Sequence, residues 1–414
     1  MTPIDRTREQ ANAMGASFGS LLEEVVLRNA NADSPLLHAE GLRYLTRVFA
    51  QALIRSEIED YAYPRLIPGA SLWMHWGFAN PDARYIYASI HGDYTYRLYG
   101  RRGSARMFDI ETWSGGWADL TTMHHCSGLR HIQVDSSAPL QPTEAFEVGP
   151  DGEFEIILSS DPQPGNWLKI PKGLGTVLTR DYFYDWDHEE AGTFYLERVG
   201  ATYPPPPVSI DLLNDSLDLV PEFMDKNVRI CAKGIEVQHY SLEPNTMCIQ
   251  PMHTSQTERG QDDQLALRDV RFLQGLYDCG PDEAVILEVP EVDTDYWSFY
   301  LTSHNWEGND FHLRQSSING WQAEVDSDGM FRAVISQRDP GVPNWLDPGG
   351  HRTGLIIGRY LTPRAELTEP RLRILPFEAL RDELPPGTKT VTPEERSESI
   401  RRRMHSVRRR LCDD

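Results

Sequence analysis

Asp151-Gly-Glu-Phe-Glu-Ile-Ile-Leu-Ser-Ser-Asp-Pro-Gln-Pro-Gly-Asn-Trp-Leu168 and Asp328-Gly-Met-Phe-Arg-Ala-Val-Ile-Ser-Gln-Arg-Asp-Pro-Gly-Val-Pro-Asn-Trp-Leu346 decide how this chain is built. Each copy runs from Asp-Gly-x-Phe through an aliphatic-Ser pair to Asp-Pro and then Asn-Trp-Leu. Both continue through a Gly-rich stretch into an apolar strand that carries an arginine, Arg180 with Tyr182 and Arg359 with Tyr360. Only single-residue shifts separate them, so the chain contains an internal duplication. Asp-Gly opens a tight turn because Gly accepts positive φ. The Phe and the aliphatics after it alternate as a strand does, and Asp-Pro starts the next turn. Asn-Trp-Leu has two readings. It is a corner with the Asn bonded to backbone and the indole buried, or Asn166-Trp167 and Asn344-Trp345 sit on loops lining a cleft between the copies. Recognition residues gather on loops held by a rigid scaffold.

Working outward, Tyr85–Ile90 and Tyr94–Tyr99 read as strands joined through His91-Gly92-Asp93. Further strands are expected at Ser104–Glu111, Phe154–Leu158 and Thr176–Tyr184. In the second half they are expected at Ala284–Val289, Tyr296–Thr302, Phe331–Ser336 and Gly354–Leu361. Closely spaced strands with turn chemistry between them predict sandwiches. Helical periodicity runs from Leu21 to Ile58 and over Ile210–Asp225, and a charged helix is expected over Thr392–Leu411. Pro204 to Pro207 is a stiff connector. The resulting division is a helical region 1–62, a first sandwich 63–203, a proline and helical connector 204–280, a second sandwich 281–365 and an extension 366–414. The fold class expected is mainly β, two antiparallel sandwich units with helical flanks.

Net charge is −22, with 62 acidic against 40 basic residues, so nucleic acid and anionic membrane are poor partners for the bulk of the chain. No apolar run approaches the roughly 20 residues that span a bilayer. MTPIDRTREQ lacks the apolar core of a secretory leader. A cytoplasmic protein is expected. Cys126, Cys231, Cys248, Cys279 and Cys412 have neither disulfide nor zinc spacing and are expected as reduced thiols.

The run Gln315-Ser-Ser-Ile-Asn-Gly320, then Asp328-Gly-Met-Phe331, Arg338-Asp-Pro-Gly-Val-Pro-Asn-Trp-Leu-Asp347 and Gly350-His-Arg352 resembles the C-terminal module of a bacterial family known as domain of unknown function 1214. Asn80-Pro-Asp82, Tyr94-x-Tyr-Arg97, Gly100-Arg-Arg-Gly103, Pro164-Gly-Asn-Trp-Leu168 and Tyr182-Phe-Tyr-Asp-Trp186 resemble its usual N-terminal companion. The resemblance covers about residues 40 to 411. It implies sandwiches of jelly-roll type, similar in architecture to domains of carbohydrate-acting proteins, and it brings no reaction and no catalytic residue.

The densest polar cluster is His304, Asn305, Trp306, Glu307, Asp310, Arg314, Gln315, Asn319 and Gln322. Sugar rings stack on indole, and guanidinium pairs bidentately with carboxylate. Glu307 beside His304 is the acid–base candidate, with His351 a second. Trp306, Arg314, Gln315, Asn319, Asn344 and Trp345 are the expected ligand contacts. The alternative for all of them is a hydrogen-bonded network that staples a long loop to the sandwich. His124-His125-Cys126 with His131 is metal-like, yet neighbours on a strand point to opposite faces, so no metal or cofactor is expected. Gly15-Ala-Ser-Phe-Gly19 matches a nucleophile elbow without the strand that motif requires. Arg401-Arg-Arg403 and Arg408-Arg-Arg410 lie seven residues apart, on one helical face. They dock on the chain's own acidic surface or join copies in a homo-oligomer. Together these features predict binding of a small polar molecule, sugar-like or carboxylated, in a cleft between the units, with hydrolase or lyase chemistry as an extension. The competing class is a non-catalytic binding or assembly module.

Overall fold

The computed structural model describes residues 2–27, 34–57, 60–70, 79–118, 123–132, 145–250 and 270–411. It opens with helices α1 (Pro3–Leu21) and α2 (Pro35–Glu57), a π-helical turn (Leu22–Leu27) following α1. Nine strands follow: β1 (Ile67–Ala70), β2 (Ala83–His91), β3 (Tyr96–Arg101), β4 (Met107–Ser114), β5 (His124–Ile132), β6 (Glu153–Ser159), β7 (Trp167–Lys169), β8 (Leu174–Tyr182) and β9 (Thr193–Arg198). After α3 (Ile210–Leu217) and α4 (Leu219–Ser241) come nine more. These are β10 (Thr246–Ile249), β11 (Val270–Asp278), β12 (Glu283–Pro290), β13 (Tyr296–Thr302), β14 (Ser317–Asn319), β15 (Met330–Ser336), β16 (Trp345–Leu346), β17 (Thr353–Leu361) and β18 (Arg371–Pro376). A short α5 (Leu380–Glu383) and α6 (Pro393–Leu411) complete the chain.

The duplication is a whole nine-strand unit. Sheet order β1-β2-β8-β4-β5 in the first half recurs as β10-β11-β17-β13-β14, and β7-β6-β3-β9 recurs as β16-β15-β12-β18. Each unit is therefore a sandwich of a five- and a four-stranded sheet. Pairing is antiparallel except for two short parallel ladders, β6 with β7 and β15 with β16, which the antiparallel expectation did not include. Those parallel ladders are the Asn-Trp-Leu segments folding back beside their own strands. Gly152 and Gly329 share φ of +78°, the left-handed turn that an L side chain resists.

One face of each strand fills its own sandwich. Phe108, Ile110, Phe154, Ile156, Leu158 and Val177 form the first core, and Phe299, Leu301, Phe331, Ile335 and Ile356 the second. The outer faces of the two five-stranded sheets turn toward each other. Ala83, Tyr85, Met107, Leu178 and Tyr182 pack there against Val270, Tyr296 and Leu361. A helical layer from α1, α2 and α4 has its own core of Leu21, Tyr44, Leu45, Val48, Val220, Phe223 and Val228. Trp306 wedges between that layer and the Leu276–Tyr300–Leu355–Ile357 cluster of the second unit.

The structure departs from expectation at several points. Residues 3–21, ahead of the periodicity that starts at Leu21, already form a helix, capped by Thr2 and Asp5 holding each other's backbone N–H in a capping box. Gly15-Ala-Ser-Phe-Gly19 lies inside it, so no strand–turn–helix elbow exists there. The helix expected over Ile210–Asp225 breaks at Asp218 and resumes through Ser241. β10 starts the second unit's sheet inside the stretch assigned to the connector. Part of that stretch, 251–269, and Cys412 lie outside the described residues. Among the described residues, no helix is long and apolar enough to cross a membrane.

Candidate functional site

The two Asn-Trp corners are hydrogen-bonded alike. Asn166 donates through Nδ2 to the Glu147 and Glu155 carbonyls and accepts from the Glu147 N–H. Asn344 donates to the Glu324 and Arg332 carbonyls and accepts from the Glu324 N–H. Trp167 and Trp345 each direct Nε1–H to a serine carbonyl, Ser159 and Ser336, at 3.2 and 3.0 Å. Backbone thus takes the polar atoms that a ligand would need. Gln315 is spent in the same way: its Nε2 donates to the Pro343 and Trp345 carbonyls, and its Oε1 accepts from Arg396 at 2.6 Å.

Asn319 lies deeper, at the seam of the two units. Its amide donates to Asp82 Oδ1 at 2.9 Å and to the Tyr184 carbonyl at 3.0 Å. Asp82, 1% exposed, also accepts from Trp186 Nε1 and Tyr296 Oη, at 2.7 and 2.5 Å. Burial raises its pKa, while the donors around it and the Arg410 charge pull the other way. Arg314 is half exposed and paired with Asp347 at 2.9 Å. Trp306 holds the helical layer to the second unit rather than offering a free face.

The acid–base candidates meet α2. Glu40, Arg43 and Arg47, spaced i, i+3, i+7, share one face of that helix. Glu307 accepts from Arg47 at 2.8 Å, Asp310 from Arg43 at 3.2 Å, and His351 Nε2 stands 2.8 Å from Glu40 Oε2, out of hydrogen-bonding alignment. The His304 ring centre is 6.0 Å from that of His351, and His304 Nε2 is 3.3 Å from Thr353 Oγ1. Burial pushes Glu307 up to about 7 against the pull of Arg47 and Arg43. Glu307, His304 and His351 therefore do cluster, although Arg314, Gln315, Asn344 and Trp345 belong elsewhere. The predicted residues do not line one cleft.

The facing sheets of the two units hold a different group, and strand register reveals it. In the first unit Arg180 stands opposite Asp109 on β4 and Tyr85 on β2. Its Nε donates to Asp109 Oδ1 at 2.8 Å, and its Nη2 to Glu111, two residues on along the same face. In the second unit Arg359 occupies the equivalent position, opposite Ser298 on β13 and Phe272 on β11. Tyr300 stands where Glu111 does. Both counter-charges of Arg180 are thus replaced by hydroxyls around Arg359.

Arg359 is 8% exposed. Its guanidinium lies 4.8 Å above the Phe272 ring and within electrostatic reach of Tyr300, Tyr85, Tyr182 and Tyr296. Its Nε has no hydrogen-bond partner, and no carboxylate contacts it among the described residues. Burial penalises its charge, and the tyrosine cage opposes that penalty. Burial in turn keeps Tyr300 and Tyr182 above the usual phenol range, with Tyr300 drawn back by Arg359 and Tyr182 by Arg180. Tyr85 and Tyr182 come from the first unit, so both copies build this environment. An unpaired buried cation is costly, of order several kcal/mol.

Sequence reasoning named Arg180 and Arg359 as repeat partners without weighing what faced them. Setting Met107-Phe-Asp-Ile-Glu111 beside Tyr296-Trp-Ser-Phe-Tyr300 shows the exchange in the sequence itself. The metal-like run lies on β5, where burial first, and then the Arg102 charge, lower His131 to about 4. Among the described residues no group of three or more His, Cys, Asp or Glu is arranged to hold a metal.

No protein-family model and no curated protein matches the chain. An uncharacterized protein from Burkholderia cenocepacia, of known crystal structure, is similar over 90% of this chain and 97% of its own. Its identity is 27% and its TM-score 0.77. The chain shares that mainly β architecture. A Vibrio parahaemolyticus protein matches at 10% identity and TM-score 0.45, over 80% of this chain and 97% of its own. A salicylate 1,2-dioxygenase from Pseudoaminobacter salicylatoxidans matches at 12% and 0.20, over 82% and 81%. At those scores the last two carry no argument.

Proposed function

We propose that the protein binds a small carboxylated organic molecule between its two sandwich units, with Arg359 as the anion's partner. The observation that carries this is the broken symmetry of the repeat. Arg180 has Asp109 and Glu111, whereas Arg359 has Ser298 and Tyr300. A carboxylate from outside would supply the missing charge through two parallel N–H···O bonds. The phenol rings of Tyr85, Tyr182 and Tyr300 offer an apolar wall with polar rims, the usual make-up of a small-molecule site. Neutral sugars would leave the guanidinium unpaired, so the carboxylated class is favoured over the sugar-like one.

The test restores the first unit's chemistry in the second. Ser298→Asp places a carboxylate opposite Arg359, as Asp109 stands opposite Arg180. A panel of mono- and dicarboxylates should raise the melting temperature of the native protein, because a ligand bound only to the folded state stabilises it. The shift should vanish in Ser298→Asp and be absent with neutral sugars. An equal carboxylate shift in both proteins would refute the assignment.

A further inference from the structure

Arg403 and Arg410 of α6 are 9% and 1% exposed, yet among the described residues neither pairs with a carboxylate. Their guanidinium groups lie 4.4 and 4.0 Å over the ring of Trp186. Arg403 donates from Nε to the Phe311 carbonyl at 2.5 Å and from Nη2 to Ser317 Oγ, which leaves Nη1 without a bond. Arg410 has no hydrogen-bond partner at any guanidinium nitrogen. Asp82 is the carboxylate whose charge reaches Arg403, and it also serves Arg410, where half-buried Glu189 adds a second pull. Two buried guanidinium groups thus share one buried carboxylate. Burial holds both arginines down to about 9, because these acids return less than the lost hydration.

Arg403 also borders a crevice of about 530 Å³, a volume usual for small-molecule sites. One wall is α6, a second is the Asp185–Asp187 loop of the first unit, and a third is β14 with the turn after it. Trp321 on that turn is 61% exposed, an uncommon place for an indole. It is held there, since Asn319 Oδ1 accepts from the Trp321 and Gln322 N–H groups while the Asn319 amide is tied to Asp82. A fixed, exposed ring face offers stacking at little entropic cost.

The lining also contains carboxylates, and most are engaged. Glu324 holds Lys389 at 2.8 Å, Asp185 takes His188 at 2.8 Å, and Glu395 accepts from the Thr392 N–H at 2.9 Å. Arg396 is paired in turn with Asp339 at 2.9 Å. Among the described residues, the charged ends left without a partner are those of exposed Asp187, exposed Arg402 and buried Arg403 at Nη1. Two cationic ends therefore stand against one acid.

We infer that this crevice binds a flat-ringed organic oxyanion, with its ring against Trp321 and its carboxylate or phosphate oxygens on Arg403 and Arg402. The site is separate from Arg359, which does not border the crevice. The oxyanion supplies the countercharge that Arg403 lacks, through charge-assisted hydrogen bonds. The ring covers apolar surface that Trp321 leaves in water. An inorganic anion would leave the indole bare, and a neutral ring would leave the guanidinium uncompensated, so the pair of features selects a molecule that carries both.

Isothermal titration calorimetry of the full-length Arg359→Met protein tests the crevice free of the first site. Benzoate and phenyl phosphate are the probes, with benzamide, acetate and inorganic phosphate as controls. At least one ring anion should bind saturably, and the one that does identifies the head group. Benzamide and the matching ringless anion should each bind at least about tenfold more weakly. Adding Arg403→Met or Trp321→Ala should weaken the ring anion about tenfold in each case. Trp321 is exposed, so its variant covers the case in which Arg403→Met fails to fold. The proposal is overturned if neither ring anion binds, if benzamide binds as tightly, or if either variant, folded, keeps the full affinity. The Arg359 site is read separately, by melting of the native and Ser298→Asp proteins, so the two proposals fail in different measurements.

Discussion

Arg180 and Arg359 occupy equivalent positions in two copies of one unit, and replacing each with methionine should have opposite consequences. Arg180→Met strands Asp109 and Glu111, both 2% exposed, inside the molecule. Removing one partner of a buried pair costs about 3–5 kcal/mol because the other charge stays behind. Arg359→Met strands nothing. It deletes a buried cation whose neighbours are hydroxyls and rings, and the methionine keeps contact with Phe272. The lost cation–π attraction, about 0.5–2 kcal/mol, is offset by the desolvation no longer required. The ligand-free variant should therefore stay within about 1 kcal/mol of the native protein. At about 2–4 °C per kcal/mol for domains of 150–250 residues, Arg180→Met should lower the first transition by about 6–20 °C. Thermal melts followed by near-UV dichroism, in carboxylate-free buffer, read both. Should Arg359→Met lose as much as Arg180→Met, then Arg359 is paired within the chain and the binding proposal falls.

Three further outcomes follow from the same contacts. Asn344→Ala leaves half-buried carbonyls without donors and should cost about 1–3 kcal/mol, whereas the matching Asn166 bonds are open to water and Asn166→Ala should cost less; urea unfolding reads both, and an equal loss would contradict the difference in burial. Arg396→Ala removes bonds to Asp339 and Gln315 and a contact 5.2 Å over Trp345, so limited proteolysis should cut α6 sooner than in the native chain, and unchanged cleavage would show the helix held by other means. His131 titrates below its ordinary value in the folded state, so its contribution is complete above about pH 6.5 and is lost as pH falls toward about 4; the native melting temperature should drop more steeply than that of His131→Gln across this window, and parallel curves would exclude the effect.

Much of the architecture was legible because the duplication repeats turn chemistry as well as hydrophobicity. Asp-Gly-x-Phe and Asn-Trp-Leu fix a turn, a core strand and a return ladder, and both copies obey them. What remained hidden depended on pairing between distant strands. Ser298 and Tyr300 look like ordinary strand residues until register sets them beside Arg359. The Glu307 cluster stands out in composition, but Arg47 lies 260 residues earlier, with Glu40 and Arg43 on the polar face of a helix whose apolar stripe is the stronger signal. Asn344, Trp345 and Gln315 misled for the opposite reason: residue types that suit ligands equally suit backbone satisfaction, and only coordinates show where their bonds go. The Thr2–Asp5 capping box, by contrast, is local, four adjacent residues that carry their own signal.

α6 has a mechanical consequence. Its Arg396 is fastened to Asp339 of the second unit, while Arg403 and Arg410 lie 4.4 and 4.0 Å from the ring of Trp186 in the first. A rivet of this kind resists shear between the sandwiches, so load applied across them is shared along the helix instead of prising the seam apart. Under tension in an optical trap the pair should yield in a single rip, with separate events emerging only once Trp186 is replaced by alanine.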